Sequence, residues 1–182
     1  MPADAVRTGP AYESERRADL ARLAAAASER RVSLGTDLVI VFETPQTVRA
    51  ALEESLRTER DADGERVAGE TAAFAELLGD EHELAATMYV DVADPVALAD
   101  RLAELAGVEQ TVSLEVGGSR AVARSDPGDA GSGAFHLVFQ LGAEQREALA
   151  AGLPVSIEVE HPACRAMATL TAGQGLSIGA DL

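Results

Sequence analysis

The sequence predicts an α+β fold: a largely antiparallel sheet with helices packed mainly on one side. Three observations carry that prediction. The first half holds amphipathic helical segments, two of which open on a cap residue followed by proline, Thr44 with Pro45 and Asp94 with Pro95. After Gly107 the apolar period changes to two. In that second half strands outnumber helices, and their neighbours read as hairpin partners.

At 182 residues the chain is long enough to bury a sizeable core as one domain. Its opening residues are small and polar, so residues 1–11 are expected to be disordered and 12–182 to form a single α+β domain. Over residues 12–31, Leu20, Leu23, Ala24 and Ala27 recur at helical spacing. LVIVFE is short, β-branched and almost wholly apolar, which predicts a buried strand rather than an edge. Thr44 and Pro45 then start a helix that runs to about Arg60, where DADGE breaks it, and ERVAGETAAFAELLG reads as another helix closed near Gly79.

LAATMYVDV alternates, with Leu84, Ala86, Met88, Val90 and Val92 on one face and Thr87, Tyr89 and Asp91 on the other. Asp94 and Pro95 open a helix that Gly107 stops. TVSLEVGGSRAVARS predicts a hairpin turned at Gly117 and Gly118, because paired glycines supply the positive φ such turns need. DPGDAGSG is a loop, GAFHLVFQL a strand, GAEQREALAAG a short helix, LPVSIEVEH a strand and CRAMATL a last strand.

Formal charge is −16, from 31 acidic residues against 15 basic ones, and every basic residue is arginine. That sign repels phosphate backbones and anionic bilayers, so neither nucleic acid nor a membrane surface is an expected partner. The single cysteine, Cys164, excludes an intramolecular disulfide. No window approaches the roughly 18 apolar residues that span a bilayer, and the N-terminus has no apolar stretch that could serve as a signal peptide. The expected location is the cytoplasm.

Chemistry is sought in polar residues stranded at the ends of apolar segments. Glu43 closes the apolar strand just before a helix start, where it could accept hydrogen bonds from free first-turn amides. On a wheel of residues 46–60, Val48, Ala51, Leu52 and Ser55 cluster with Glu59 at their centre, while Arg49, Glu53 and Arg57 face away and Glu53 and Arg57 read as a surface pair. His136 lies opposite Phe135, Leu137 and Phe139, whereas His161 continues the apolar face of Val155, Ile157 and Val159. A mixed set of His136, His161, Glu43 and Glu59 would suit iron or manganese better than structural zinc. Cys164 reads as a buried, inert thiol and His82 as a solvated loop residue. The glycines form no phosphate cradle.

The strings RVSLGTDLVIVFETPQTVRAALEESLRTER, ELAATMYVDVADP, AFHLVFQL and VEHPAC, in that order, resemble the bacterial family catalogued as domain of unknown function 3501. The resemblance runs from about residue 15 to the C-terminus. It implies Glu43, Glu54, Glu59, Thr87, His136 and His161 as matched polar positions, Glu54 on the resemblance alone. The chain departs from the family pattern at Ala51, Ser55 and Cys164, where glutamine, methionine and tyrosine are usual. The resemblance also implies a companion of rubrerythrin-type and iron–sulfur oxidoreductases.

Three functional expectations follow. The first is a cytoplasmic, metal-binding, redox-associated protein in which His136 and His161 hold iron or manganese, Glu43 or Glu59 completes the shell, and Glu43, Glu54 and Glu59 are the candidate catalytic carboxylates. The second is a non-catalytic module docking on a rubrerythrin-type or iron–sulfur oxidoreductase. The third is an enzyme acting on a small organic molecule, in which a histidine and carboxylate pair does acid–base work or holds a heme.

Overall fold

A computed structural model of the chain describes residues 6–58, 64–78, 80, 82–125, 132–180 and 182. Helix α1 (Gly9–Glu29) leads into strands β1 (Arg31–Leu34) and β2 (Leu38–Phe42), helices α2 (Pro45–Thr58) and α3 (Gly64–Glu76), strand β3 (Glu83–Val90) and helix α4 (Pro95–Glu104). A short 3-10 turn at Val108–Thr111 precedes β4 (Val112–Val116), β5 (Ser119–Val122), β6 (Ala134–Gln140), α5 (Ala143–Ala150), β7 (Val155–His161), β8 (Cys164–Thr169) and α6 (Ala172–Gly179).

The α+β expectation holds, and every pairing between these strands is antiparallel, but the strands form two four-stranded sheets rather than one. One runs β1-β2-β3-β6 and the other β5-β4-β7-β8. Their inner faces share one apolar core, to which Ile40, Met88 and Leu137 contribute from the first sheet and Leu114, Ile157 and Val159 from the second. Period-two alternation drives this, since each strand turns every second side chain inward. Phe42 and Phe139 meet in that core with ring centroids 6.4 Å apart. A bridge between Arg124 and Val138 ties the end of the β4–β5 hairpin to β6, and β1 lies beside β8 at the opposite seam, so the sheets close on one another as a flattened barrel.

Helix α1 and helix α2 cover the outer face of the first sheet, where Val39 and Ala85 are buried although they point away from the core. This cover is why β2 reads as apolar on both faces. Asp94 caps α4 through the amides of Val96 and Ala97, as expected, and α4 closes one end of the barrel with Arg101 bound to Asp37. Helices α5 and α6 close the other end and bury Leu149 and Ile178. The β4–β5 turn has φ of +59° and +81° at Gly117 and Gly118, and a Cβ on Gly117 would come within 2.9 Å of Ala148.

Three elements differ from the sequence reading. Helix α1 begins at Gly9, and Arg7 ahead of it is bound to Glu53, so the segment expected to be disordered is in place from residue 6; residues 1–5 lie outside the described residues. Arg31, expected to end the first helix, instead opens a strand, RVSL, whose pairing with β2 buries Val32 and Leu34. Helix α6 was not expected from its glycine-rich sequence. Its start is set by Thr171, which accepts from the Gln174 amide, and it is retained by burial of Ile178. Most of the DPGDAGSG loop, residues 126–131, lies outside the described residues.

Candidate functional site

The outer face of the first sheet carries a row of side chains set by register. Val41 pairs with Thr87 on β3, and Thr87 pairs with His136 on β6. Directly opposed residues place their Cβ atoms about 5 Å apart, so His136 stands beside Thr87 on that outer face. Glu43 follows Phe42, which points inward, and therefore turns outward. Its amide donates to the Ala85 carbonyl at 2.9 Å and extends the ladder one step past β2.

The Glu43 carboxylate is held on both oxygens. The Thr87 hydroxyl donates to Oε1 at 2.6 Å and the Thr47 hydroxyl to Oε2 at 2.5 Å. The first-turn amides expected to serve Glu43 are engaged elsewhere: Thr47 N–H donates to the Thr44 hydroxyl and Val48 N–H to the Thr44 carbonyl. Thr44 is thus the helix cap, as its position before Pro45 suggests, and Glu43 is left to face the sheet. Tyr89, two residues along β3, shares the face; burial and then the charge of Glu43 push its hydroxyl pKa up.

Above this row lies a groove of about 360 Å³ between α1, α2 and the sheet. Leu20, Leu23 and Ala27 of α1 form one wall, and Glu43, Thr47, Glu54 and Tyr89 are its polar lining. Among the described residues no arginine lines it.

The two covering helices are held together by charge. Glu53, 2% exposed, accepts from the Arg7 backbone amide at 3.0 Å and from its guanidinium at 3.1 and 2.8 Å, and Arg7 also reaches Asp19 at 2.5 Å. The surface pair expected between Glu53 and Arg57 is therefore absent, and Arg57 binds Glu13 instead. The helical wheel failed here because α1 packs against the polar side of α2, which a single-helix projection treats as solvent. The apolar residues of α2 that are buried are Val48, Leu52 and Leu56, while Ala51 is exposed. Glu54 takes a two-pronged bond from Arg16, at 2.6 and 2.9 Å, and a short bond from the Tyr12 hydroxyl. Arg16 first and Tyr12 second hold its carboxyl down at about 2. Burial and then Glu54 push the Tyr12 hydroxyl up to about 12.

The profile of the family described as "Protein of unknown function (DUF3501)" matches residues 3–182. The chain belongs to this family. A DUF3501 chain is also similar over its whole length to a crystal structure described as a novel protein of unknown function from Burkholderia pseudomallei K96243, with a TM-score of 0.93, 30% identity, and coverage of 100% of this chain and 98% of that one. No curated protein matches.

In this DUF3501 protein Glu43, Thr87 and His136 come together on one face, and Glu54 lines the groove with Glu43. His161 does not join them. It ends β7 on the inward face of the other sheet, 9% exposed, with Nε2 at 3.2 Å from the Ala106 carbonyl and Nδ1 accepting from the Ala163 amide at 3.2 Å. A ring whose two nitrogens bind backbone in this way carries its proton on Nε2 and acts as a structural strut. Glu59 lies outside the described residues. Cys164 pairs with His161 across the β7–β8 turn, half-buried, and burial pushes its thiol pKa up, against nucleophilic use. His82 is exposed in the turn before β3. Among the described residues no helix is long and apolar enough to cross a membrane.

Sequence reasoning missed Thr47, Tyr12, Arg7 and the burial of Glu53. Thr47 had a signal: it stands three residues after the cap Thr44 and four after Glu43, one turn above the carboxylate. Arg7 and Glu53 are 46 residues apart and had none.

Proposed function

We propose that the groove beneath α1 is the functional site, and that it binds a small organic molecule through a cationic or hydrogen-bond-donating group. Glu43, which lines the groove, is its anchor and base, and His136, in register beside Thr87 outside the lining, supports that carboxylate from the same face. The observation that carries this reading is the double hydroxyl clamp on Glu43, with His136 in register beside Thr87. Such a clamp fixes a carboxylate before any ligand arrives, which is the preorganisation that acid–base chemistry and selective binding both need. The lining supports the sign: among the described residues it carries Glu43 and Glu54 and no arginine, and since Arg16 already compensates Glu54, Glu43 is the charge that favours a positive or donating group over an anion.

Glu54 plays a different part from the catalytic one expected of it. Arg16 occupies both its oxygens, so it holds the groove's wall to α1.

A second reading places iron or manganese on Glu43 and His136. The same clamp favours it, because ligating carboxylates are commonly held by outer hydrogen-bond donors. Neither His161, in the other sheet, nor Glu54, committed to Arg16, is placed to complete that set.

Titration calorimetry with hexylamine, alongside metal analysis of natively purified protein, tests both. The groove reading expects saturable hexylamine binding that Glu43→Gln removes, His136→Asn weakens and His161→Asn leaves intact. Hexylamine binding equal in wild type and Glu43→Gln would sink it. Near-stoichiometric iron or manganese that is lost in a folded Glu43→Gln, His136→Asn double variant would establish the metal reading in its place.

A further inference from the structure

On the other flank of α1 a second cavity, of about 240 Å³, has chemistry of the opposite sign. Its charged lining comprises Arg7, Arg22 and Arg49 against Asp19 and Glu53, one positive charge in excess within a chain of net charge −16. Four of the five are already committed: Arg7 binds Glu53 and Asp19, and Arg22 binds Asp19. Arg49 is not. Among the described residues no hydrogen bond or ion pair engages its side chain, and the same holds for the side-chain amide of Gln46.

Gln46 and Arg49 stand three apart on α2, which puts them on one face of the helix and at one wall of the cavity. Arg49 is half-buried, so its guanidinium has given up part of its water without gaining a partner. Beside it the wall is apolar, formed by Leu23, Ala26 and Ala50.

We propose that this cavity binds a small organic carboxylate, its carboxyl held by the Arg49 guanidinium and the Gln46 amide and its hydrocarbon body laid against Leu23, Ala26 and Ala50. A planar guanidinium matches a carboxylate with two parallel hydrogen bonds, and the neutral amide adds a third donor without further charge. The single excess charge suits a monoanion. A phosphate dianion would meet Asp19 and Glu53 with its second charge and leave the apolar wall uncovered. The polar anchors of this site are separate from those of the groove, since neither Arg49 nor Gln46 lines the groove, although Leu23 and Ala50 line both.

The test is calorimetric titration of the full chain with hexanoate, 1-hexanol and inorganic phosphate. Hexanoate is expected to bind saturably, 1-hexanol and phosphate at least roughly tenfold more weakly. Arg49→Gln is expected to weaken hexanoate by roughly tenfold or more, Arg49→Lys by less, because it keeps the charge and loses the fork. Arg17→Gln, on the exposed side of α1, is expected to change nothing, and circular dichroism of each variant reports that it is folded. Failure of wild type to bind hexanoate, equal binding by a folded Arg49→Gln variant, or phosphate binding as tight as hexanoate would each overturn the proposal.

Discussion

The outer faces of the two sheets show what turns a sheet surface into a site. On the second sheet the outward residues other than Ser113 meet solvent at least in part: Arg120 binds Glu160 at 2.6 Å across the surface, and Met167 is 68% exposed. On the first sheet the middle outward positions are covered, Val39 and Ala85 are buried, and Thr87 and His136 stand half-buried in a polar row with Glu43. Both faces are built from alternating strands with similar pairing. The helical layer makes the difference, because it removes water from polar groups that would otherwise be solvated and leaves a groove over them.

That layer is held in another way than the barrel beneath it. The core between the sheets is apolar and continuous, whereas α1 is joined to α2 largely by Arg7, Arg16 and Tyr12 with Glu53, Glu54 and Asp19, and its Leu20, Leu23 and Ala27 are only half-buried. If the two layers are held differently they should fail separately.

The largest effect is expected in the barrel. Phe139→Ala removes a fully buried ring that packs on Phe42 and should cost about 3–5 kcal/mol of global stability, read from denaturant unfolding. Glu53→Ala strikes the layer. It removes the most buried partner of Arg7, and because Arg7 reaches solvent and keeps Asp19 and Glu15 the expected cost is about 2 kcal/mol, below the ~3–5 kcal/mol of a fully enclosed pair. The loss should appear in hydrogen exchange of α1 amides with the strands still protected; uniform loss across the chain would show that the layers are one unit.

Acid should act on the same latch. The Glu54 carboxyl is lowered from 4.5 to about 2, so the stability it lends is complete above pH about 4.5 and is lost as pH falls toward about 2. Asp19 is lowered too, chiefly by Arg7, and adds to the loss in the same direction. Exchange of α1 amides should quicken in that window, and Glu54→Gln should remove most of the pH dependence.

The two strand histidines sharpen the contrast at smaller scale. His161→Ala leaves the Ala106 carbonyl and Ala163 amide without their ring partners and should cost about 1–2 kcal/mol while hexylamine binding persists. Least of all, Met167→Ala on the bare face should stay within about 0.5 kcal/mol of wild type in denaturant unfolding.

How much of this was readable in the residues follows from the range of the interactions involved. Local patterns spoke clearly. Alternation in LAATMYV placed Thr87 and Tyr89 opposite the core residues, Thr44 and Asp94 announced their helices, and the paired glycines announced the β4–β5 turn. The candidate site was half legible for the same reason: Glu43 and His136 stood out because each breaks an apolar run.

By itself, then, the sequence determined most of the element order, the inward faces of β3, β6 and β7 and the carboxylate and imidazole available for chemistry, because period, caps and turns act over a few residues. Tertiary structure alone decided that His136 would share a face with Glu43 while His161 braced the other sheet, and that Glu53 would be buried against Arg7. Those outcomes depend on strand register and on which side of α2 another helix covers, and no local pattern encodes contacts made across such distances in the chain.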